Sequence, residues 1–353
     1  MLAAAALAAA AFVRPPVEYD NARSRYLLVG AMVDEGTMAI DRFESRTQDK
    51  ARSGGRVYSN KAIGAPLLAA PFYWVLRRTI LRPLDLLPEP TLLDDPWALW
   101  AVRLFAASLP FAAAAWLLFT TAVRMGAPPA GAMAASWAYS FGSIALLHAG
   151  QFSGHQAAAF FALAAFALLL PGEDGRGQAA LRGLAAGLCA GFAALSDYPA
   201  GWIAILLGVT IISRRHRAQI VGGYVSGLAV CGAILGVYNQ VCFGSPWVLS
   251  YSRQLTPAFR EGSARGFMGV ASPDLGALIG LLASPSRGLF FIMPVMLLSI
   301  LGLRRLSRLA GRRREAAILA ALPAGYALLI GGPPGGSGWR PSACASSRAL
   351  RPR

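Results

Sequence analysis

Long runs of apolar residues alternate with short polar segments along this chain. A transmembrane helix needs about 20 consecutive apolar residues, and the runs predict about nine such helices. Their ranges are 2–13, 98–122, 129–149, 155–171, 180–196, 199–213, 219–243, 286–303 and 316–332. The first run is short for a span and lacks the small-residue cleavage pattern of a signal peptide. The pattern therefore predicts an all-α fold, that of a polytopic helical integral membrane protein.

The longest polar interruption comes directly after the first apolar run and covers residues 14–97. Helical spacing is expected from Asn21 to Val33, with Asp20 or Asn21 capping its start and Gly36 ending it. A second amphipathic stretch at 62–82 combines aromatic residues with a basic end, which is typical of a helix lying in the membrane interface. We therefore expect this loop to lie against the membrane surface.

Composition strengthens the membrane interpretation. The chain has 353 residues, of which 56% are hydrophobic and 14% charged, and its net charge is +16. In a soluble protein such a charge would suggest nucleic acid, but here the arginines lie between apolar runs, where topology explains them. We therefore expect a lipid bilayer and no nucleic acid as a partner. The four cysteines form no C-x-x-C pair and are expected to be small buried side chains.

The distribution of arginine predicts the orientation of the spans. The connections 214–217 and 304–315 are rich in arginine, and Arg124 and the loop before 180 fall on the same side in this count. Positive charge favours the cytoplasmic side, so the segments 14–97 and 244–285 are expected outside. The sequence therefore predicts a multi-pass protein of the cell inner membrane. Any site that faces water is expected on the extracytoplasmic side.

A series of short motifs in the first loop resembles those of a known family. The residues are Asp20, Ser24, Arg25, Tyr26, Gly36, Ile40, Asp41, Asp49, Ala51, Gly55, Tyr58, Ser59, Lys61, Pro66, Leu67, Leu68, Ala69, Pro71 and Tyr73. The segments 152–160, 242–247 and 284–295 continue the pattern. Their order resembles bacterial membrane glycosyltransferases of the GT-C superfamily, relatives of the protein O-mannosyltransferases and of the aminoarabinose transferases of lipid A.

This resemblance implies a reaction and a donor. Such enzymes transfer a sugar from a polyprenyl-phosphate carrier to an acceptor outside the membrane, here a lipid, glycan or protein of the cell envelope. An acidic residue of the first outer loop acts on the acceptor, and the matching position is Asp20. The fold expected from the resemblance is GT-C-like, over residues 1–332.

The chemistry of glycosyl transfer asks for the same residue types. A carboxylate can take the proton of the acceptor hydroxyl, and arginine or lysine can stabilise the negative charge of the departing phosphate. The candidates for donor-phosphate or substrate binding are Arg23, Arg25, Lys61, His155, Asp197 and Arg287. No metal site is predicted, although a divalent ion near Asp20 stays possible as a cofactor.

Each candidate also has a structural alternative. Asp20 could serve only as a helix N-cap, and Asp197 as a solvated cap at a turn. Arg23 and Arg25 could contact lipid head groups, Lys61 and Arg287 could anchor at the interface, and His155 could make a helix-end polar contact. For two other sites we expect Arg103 to reach the membrane surface from within its span, and Asp34 and Glu35 to form a solvated turn.

Two other functions remain open at this point. A transporter or lipid flippase predicts ionisable residues within several spans and paired broken helices, and a non-catalytic subunit of an envelope-assembly complex needs no site. The segment 333–353 has no run that could span a membrane and is expected to be a disordered or aberrant tail.

Overall fold

The computed structural model describes residues 1–12, 19–81, 92–171, 175–211, 216–257, 260, 273–286 and 288–331. The chain is mostly helical, with 78% helix and 3% strand, which confirms the all-α prediction. The predicted tail at 333–353 and the candidate Arg287 lie outside the described residues.

The described part contains the following elements. The α-helices are α1 Leu2–Phe12, α2 Asp20–Gly30, α3 Gly64–Leu76, α4 Pro96–Arg103, α5 Leu109–Arg124, α6 Pro129–Phe141, α7 Ala145–Ala149, α8 His155–Leu168, α9 Arg176–Ser196, α10 Gly201–Ile211, α11 Arg217–Phe243, α12 Leu275–Ala283, α13 Leu289–Ile292, α14 Leu297–Arg308 and α15 Arg313–Ile330. Two strands, β1 Lys50–Ser53 and β2 Arg56–Ser59, form an antiparallel hairpin. π-Helical turns follow α2, α3 and α4 at Ala31–Glu35, Arg77–Leu81 and Leu104–Ser108.

Three helical segments in the described part are long and apolar enough to cross a membrane. They are Pro96–Arg124, in which a π-helical turn joins α4 to α5, and the helices α9 and α11. Shorter apolar helices include α1 and α8. The composition of these segments supports a membrane protein in general terms.

Two of the predicted spans are interrupted. The run 129–149 divides into α6 and α7, because the helix ends at Gly142 and a turn follows. The run 286–303 divides into α13 and α14 around Pro294, which begins a short 3₁₀ turn. Both runs are mostly apolar, so hydropathy alone does not show the breaks, whereas Gly and Pro are the residues that mark such breaks.

Helices α9 and α11 pack closely because glycines line their contact. A Cβ atom added at Gly183 or Gly187 would fall on the backbone of α11, and one added at Gly223 or Gly227 would fall on the backbone of α9. Small residues allow helix backbones to approach in this way, as they do in membranes. This pair positions the turn that follows Ser196 at the end of α9.

The described part of the first loop (residues 19–81 and 92–97) packs as a layer against the helices that follow it. Tyr26 of α2 and Tyr73 of α3 are fully buried in one apolar cluster with Phe152. The prediction that Asp34 lies in a solvated turn is wrong, because its carboxylate forms an ion pair with Arg77 and accepts a hydrogen bond from the Tyr73 hydroxyl at 3.3 Å. Glu35 beside it is exposed.

Arg103 also differs from the prediction. Its side chain is 2% exposed, and its guanidinium donates to the carbonyl oxygens of Gly150 at 2.9 Å and Ala11 at 2.8 Å. A buried arginine is stabilised by such bonds where it cannot reach water. Arg103 therefore joins the end of α1 to the turn before α8 and does not extend to a membrane surface.

The described loops gather at two ends. At one end, Arg312 donates to the Arg124 carbonyl oxygen, Arg124 donates to that of Ala167, and Arg182 donates to that of Leu170. At the other end, the hairpin contacts the segment that follows α11, where Ala51 and Gln254 form an isolated antiparallel bridge. The segments expected on one side of a membrane thus share one end, which we call the polar end (residues 20–61, 151–155, 197–198 and 250–257).

Candidate functional site

A buried polar network ties the start of α2 to the hairpin. The Ser24 hydroxyl donates to the Asp49 carbonyl oxygen at 2.5 Å and lies 2.7 Å from the Ser59 hydroxyl. The Thr47 hydroxyl donates to the Asp20 carbonyl oxygen at 2.9 Å. Ser24, Thr47 and Ser59 are almost fully buried. Because these bonds fix the backbone on both sides, Asp49 and Lys61 are held beside α2.

Lys61 and Asp49 form an ion pair in this network. The Lys61 Nζ atom lies 2.8 Å from Asp49 Oδ1, and the two side chains are only 12% and 11% exposed. Burial lowers the pKa of Lys61, while the charge and the hydrogen bond of Asp49 act in the opposite direction. Lys61 is thus held in a mostly buried site next to a carboxylate. The described contacts do not show its side chain extending to a membrane surface.

Arg25 follows Ser24 on α2 and is 5% exposed. Its guanidinium contacts the Asn21 side chain and donates to the Asn21 carbonyl oxygen at 3.1 Å. Among the described residues, no carboxylate lies within ion-pair distance of Arg25, and its Nε atom has no hydrogen-bond partner. A buried cation left in this state is costly, which makes Arg25 the best candidate for an anion ligand at the polar end.

The charges around Arg25 come from several segments. Burial lowers its pKa, whereas Tyr251, Asp197 and Asp49 each raise it through their charges. Tyr251 belongs to the segment after α11, and its ring packs edge-on against Tyr198, with the ring centroids 5.5 Å apart. Burial raises the pKa of Tyr251, and Arg25 lowers it. Residues from three distant parts of the sequence therefore act electrostatically on one guanidinium.

Asp197, whose charge acts on Arg25, also pairs with a histidine. His155 Nδ1 at the start of α8 is 3.0 Å from Asp197 Oδ2, which follows the end of α9. The His155 ring also packs edge-on against the His148 ring, with centroids 4.9 Å apart. Two glycines make this arrangement possible, because a Cβ atom on Gly64 or Gly154 would fall on the backbone of Ser196.

His155 lines a cleft of about 190 Å³ at the polar end. The other lining residues are Tyr19, Asn21, Ala22, Gln151, Phe152 and Ser153. The cleft is thus bounded by the start of α2 and by the turn before α8. Asn21 connects it to Arg25, because Asn21 both lines the cleft and contacts the guanidinium.

The remaining predicted site residues stand apart from this group. Asp20 is the first residue of α2, but it makes no side-chain cap, and no ion pair or side-chain hydrogen bond joins it to another described residue. Its charge does act on Lys61. The described contacts do not bring the Arg23 side chain to the group, since Arg23 and Arg25 are two residues apart on a helix and face different sides.

Sequence reasoning did not select two members of the group as site candidates. Asp49 stands among the motif residues of the first loop without an assigned role, and Tyr251 carries no local motif. Asp41, another of those motif residues, orients the loop, because its carboxylate accepts hydrogen bonds from Val57 N at 2.5 Å and Arg56 Nε at 3.0 Å. No cluster of three or more potential metal ligands occurs in the described part of the chain.

Comparison of the chain with protein-family models, with curated proteins and with solved structures found no match in any of the three.

Proposed function

We propose that this protein transfers a sugar from a polyprenyl-phosphate donor to an acceptor at the polar end of its helical bundle. The resemblance of the first-loop motifs to GT-C glycosyltransferases supports the reaction class. The observation that carries the proposal is the burial of Arg25. This residue is only 5% exposed, and its guanidinium lacks a carboxylate partner among the described residues. A phosphate is the anion that such a fork binds best.

The charge balance at the polar end fits this assignment. Asp49 already pairs with Lys61, and Asp197 contacts His155, so neither carboxylate forms an ion pair with the buried Arg25 in the described part of the chain. As the bond between sugar and phosphate breaks, negative charge grows on the phosphate, and a fixed cation in a dry site stabilises it. The charge of Arg25 lowers the pKa of Lys61, so the two cations influence each other within the site.

The position of the site suits a lipid-linked donor. The polar end lies at the ends of α9 and α11, two of the helices long and apolar enough to cross a membrane. A donor with an apolar tail could lie along such helices while its phosphate meets Arg25. In a bacterial envelope this end would face away from the cytoplasm, because the arginine-rich connections 214–217 and 304–315, expected on the cytoplasmic side, belong to the opposite end.

The test measures release of polyprenyl phosphate by the protein reconstituted in liposomes with polyprenyl-phosphate hexose or pentose. Arg25→Gln is expected to lower release by about 10² to 10³-fold, the range for loss of one donor to a developing anion. Arg52→Gln is the matched control, since Arg52 is an exposed arginine of the hairpin and pairs with Glu44. This variant should release polyprenyl phosphate at the wild-type rate.

A transporter is the second candidate, and the interrupted helices α6–α7 and α13–α14 favour it, since broken helices are common in transporters. The same liposomes distinguish the two functions. Movement of a fluorescent polyprenyl-phosphate lipid between leaflets without cleavage would support transport and contradict transfer. Cleavage of the donor with the lipid remaining in its leaflet is the result expected here.

A further inference from the structure

We infer that His155, oriented by Asp197, is the base that takes the proton of the acceptor hydroxyl, in place of the expected Asp20. The inference rests on the proposed glycosyl transfer and names a catalytic residue for it. It starts from the cleft at the polar end, because an acceptor hydroxyl must reach the base through a solvent-accessible space.

His155 lines that cleft, whereas Asp20 does not, although its neighbours Tyr19, Asn21 and Ala22 all do. The side chain of His155 is 49% exposed, so one edge of its ring is open to an incoming molecule. Ser153, which also lines the cleft, is 5% exposed, and its hydroxyl has no hydrogen-bond partner in the described part of the chain. The cleft therefore offers an unused polar group beside the imidazole.

Asp197 determines which ring nitrogen is basic. The carboxylate lies 3.0 Å from Nδ1, so the neutral imidazole carries its proton on Nδ1 and donates it to Asp197. The lone pair is then on Nε2, the atom at the opposite edge of the ring. After proton transfer, the carboxylate stabilises the imidazolium. This is the arrangement of base and orienting acid that hydrolases of unrelated folds share.

The step balances without any further reactant. The acceptor oxygen forms a bond to the anomeric carbon of the sugar, and its proton moves to Nε2 of His155. The bond between the anomeric carbon and the phosphate oxygen breaks, and the electron pair leaves with the polyprenyl phosphate. The charge of Asp197 also raises the pKa of Arg25, so the carboxylate acts on the cation proposed for the phosphate as well as on the base.

Several groups face His155. They are His148 through the ring contact, Asp197 through the hydrogen bond, Tyr19 across the cleft, and Arg25 and Tyr251 through their effects on or from Asp197. Removing the Asp197 carboxylate leaves the tautomer of the imidazole unfixed, so Asp197→Asn should lower the transfer rate.

The experiment measures polyprenyl-phosphate release by wild type, His155→Ala, Asp197→Asn, His148→Gln and Asp20→Asn. We expect His155→Ala to lose about 10² to 10⁴-fold in rate, the contribution of a general base. Free imidazole should restore part of that rate, because the cleft can admit it, and a purely structural role of His155 would not be rescued in this way. His216→Asn is the control, since His216 lies before α11 at the end away from the cleft, and its rate should equal that of wild type.

Each other outcome contradicts a different claim. Transfer by wild type with a full rate in His155→Ala, or with the loss confined to Asp20→Asn, overturns the role of His155 and leaves the proposed function in place. A loss of rate in His148→Gln together with a full rate in His155→Ala assigns the base to His148 instead. No transfer by wild type with any hexose or pentose donor overturns the proposed function and this inference together.

Discussion

Single residues of the polar end carry charges that folding has placed away from water. Lys61 is the clearest case, because burial lowers its pKa below the ordinary value of 10.5 even though Asp49 opposes the shift. A lysine with a lowered pKa binds its proton less readily in the folded state than in the unfolded state. Its contribution to stability is therefore fully present above pH 10.5 and is lost as pH falls through the lowered pKa.

This linkage gives a test at the residue scale. Between neutral pH and 10.5, the thermal midpoint of wild type minus that of Lys61→Gln should increase as pH rises. Lys50→Gln is the control, because Lys50 is the chain's other lysine and lies in the same hairpin, and its variant should keep the wild-type rise. A rise that persists unchanged in Lys61→Gln would show that another group titrates.

Elements are held in place at this end by two glycines with no space for a side chain. Gly64 begins α3 and Gly154 precedes α8, and both approach the backbone of Ser196. We expect Gly154→Ala to lower the free energy of unfolding by about 1–3 kcal/mol, the cost of overpacking. The same change should lower the transfer rate, because displacement of Ser196 separates Asp197 from His155.

Gly222→Ala is the matched control for this prediction. Gly222 lies in α11, and nothing is within 4 Å of an added Cβ atom there. Alanine favours a helix over glycine by about 0.5–1 kcal/mol, so this variant should be as stable as wild type or slightly more stable in a chemical denaturation series. Equal losses in both variants would contradict a specific role for the contact at Ser196.

Helices such as α8, α9, α10 and α11 could be predicted because apolar length is a local property of the sequence, whereas the breaks in the runs 129–149 and 286–303 were missed. The stop at Gly36 after the π-helical turn was also predicted, since glycine there adopts the left-handed conformation that other residues avoid. The prediction that Asp20 or Asn21 caps the start of α2 is wrong, because Tyr19 precedes the helix and no side chain caps it. The hairpin was missed, although Gly54 and Gly55 form a two-residue turn between short strands. The ion pair of Asp34 with Arg77 was missed because it joins two elements, and spacing along one helix does not report such contacts.

The site itself was predicted only in part, for the same reason. Arg25, Lys61, His155 and Asp197 were candidates by residue type, but no periodicity relates positions so distant in sequence. The pairing of His155 with Asp197 depends on how α8 and α9 end, which is a tertiary property. Asp20 was favoured through resemblance and proximity to the first apolar run, whereas the cleft passes beside it and reaches His155.

The whole molecule divides its charges between two ends, and this division predicts an orientation. Ser45 is exposed at the polar end and Ala310 at the arginine-rich end. In a background without the native cysteines, Ser45→Cys should react with a membrane-impermeant maleimide on intact cells, and Ala310→Cys should react only after permeabilisation. The reverse pattern would place the polar end in the cytoplasm, where no extracytoplasmic acceptor is available.

The contact between the hairpin and the segment after α11 has a consequence for biosynthesis. Thr256 donates to the carbonyl oxygen of Gln48 across 208 positions, and Ser250 donates to that of Asn60 across 190. The ribosome therefore completes the hairpin long before its partner has been synthesised. Until then the hairpin that carries the Lys61–Asp49 pair lacks its contacts with residues 250–256. A chaperone or translocation factor that shields this surface would act on the nascent chain during that interval.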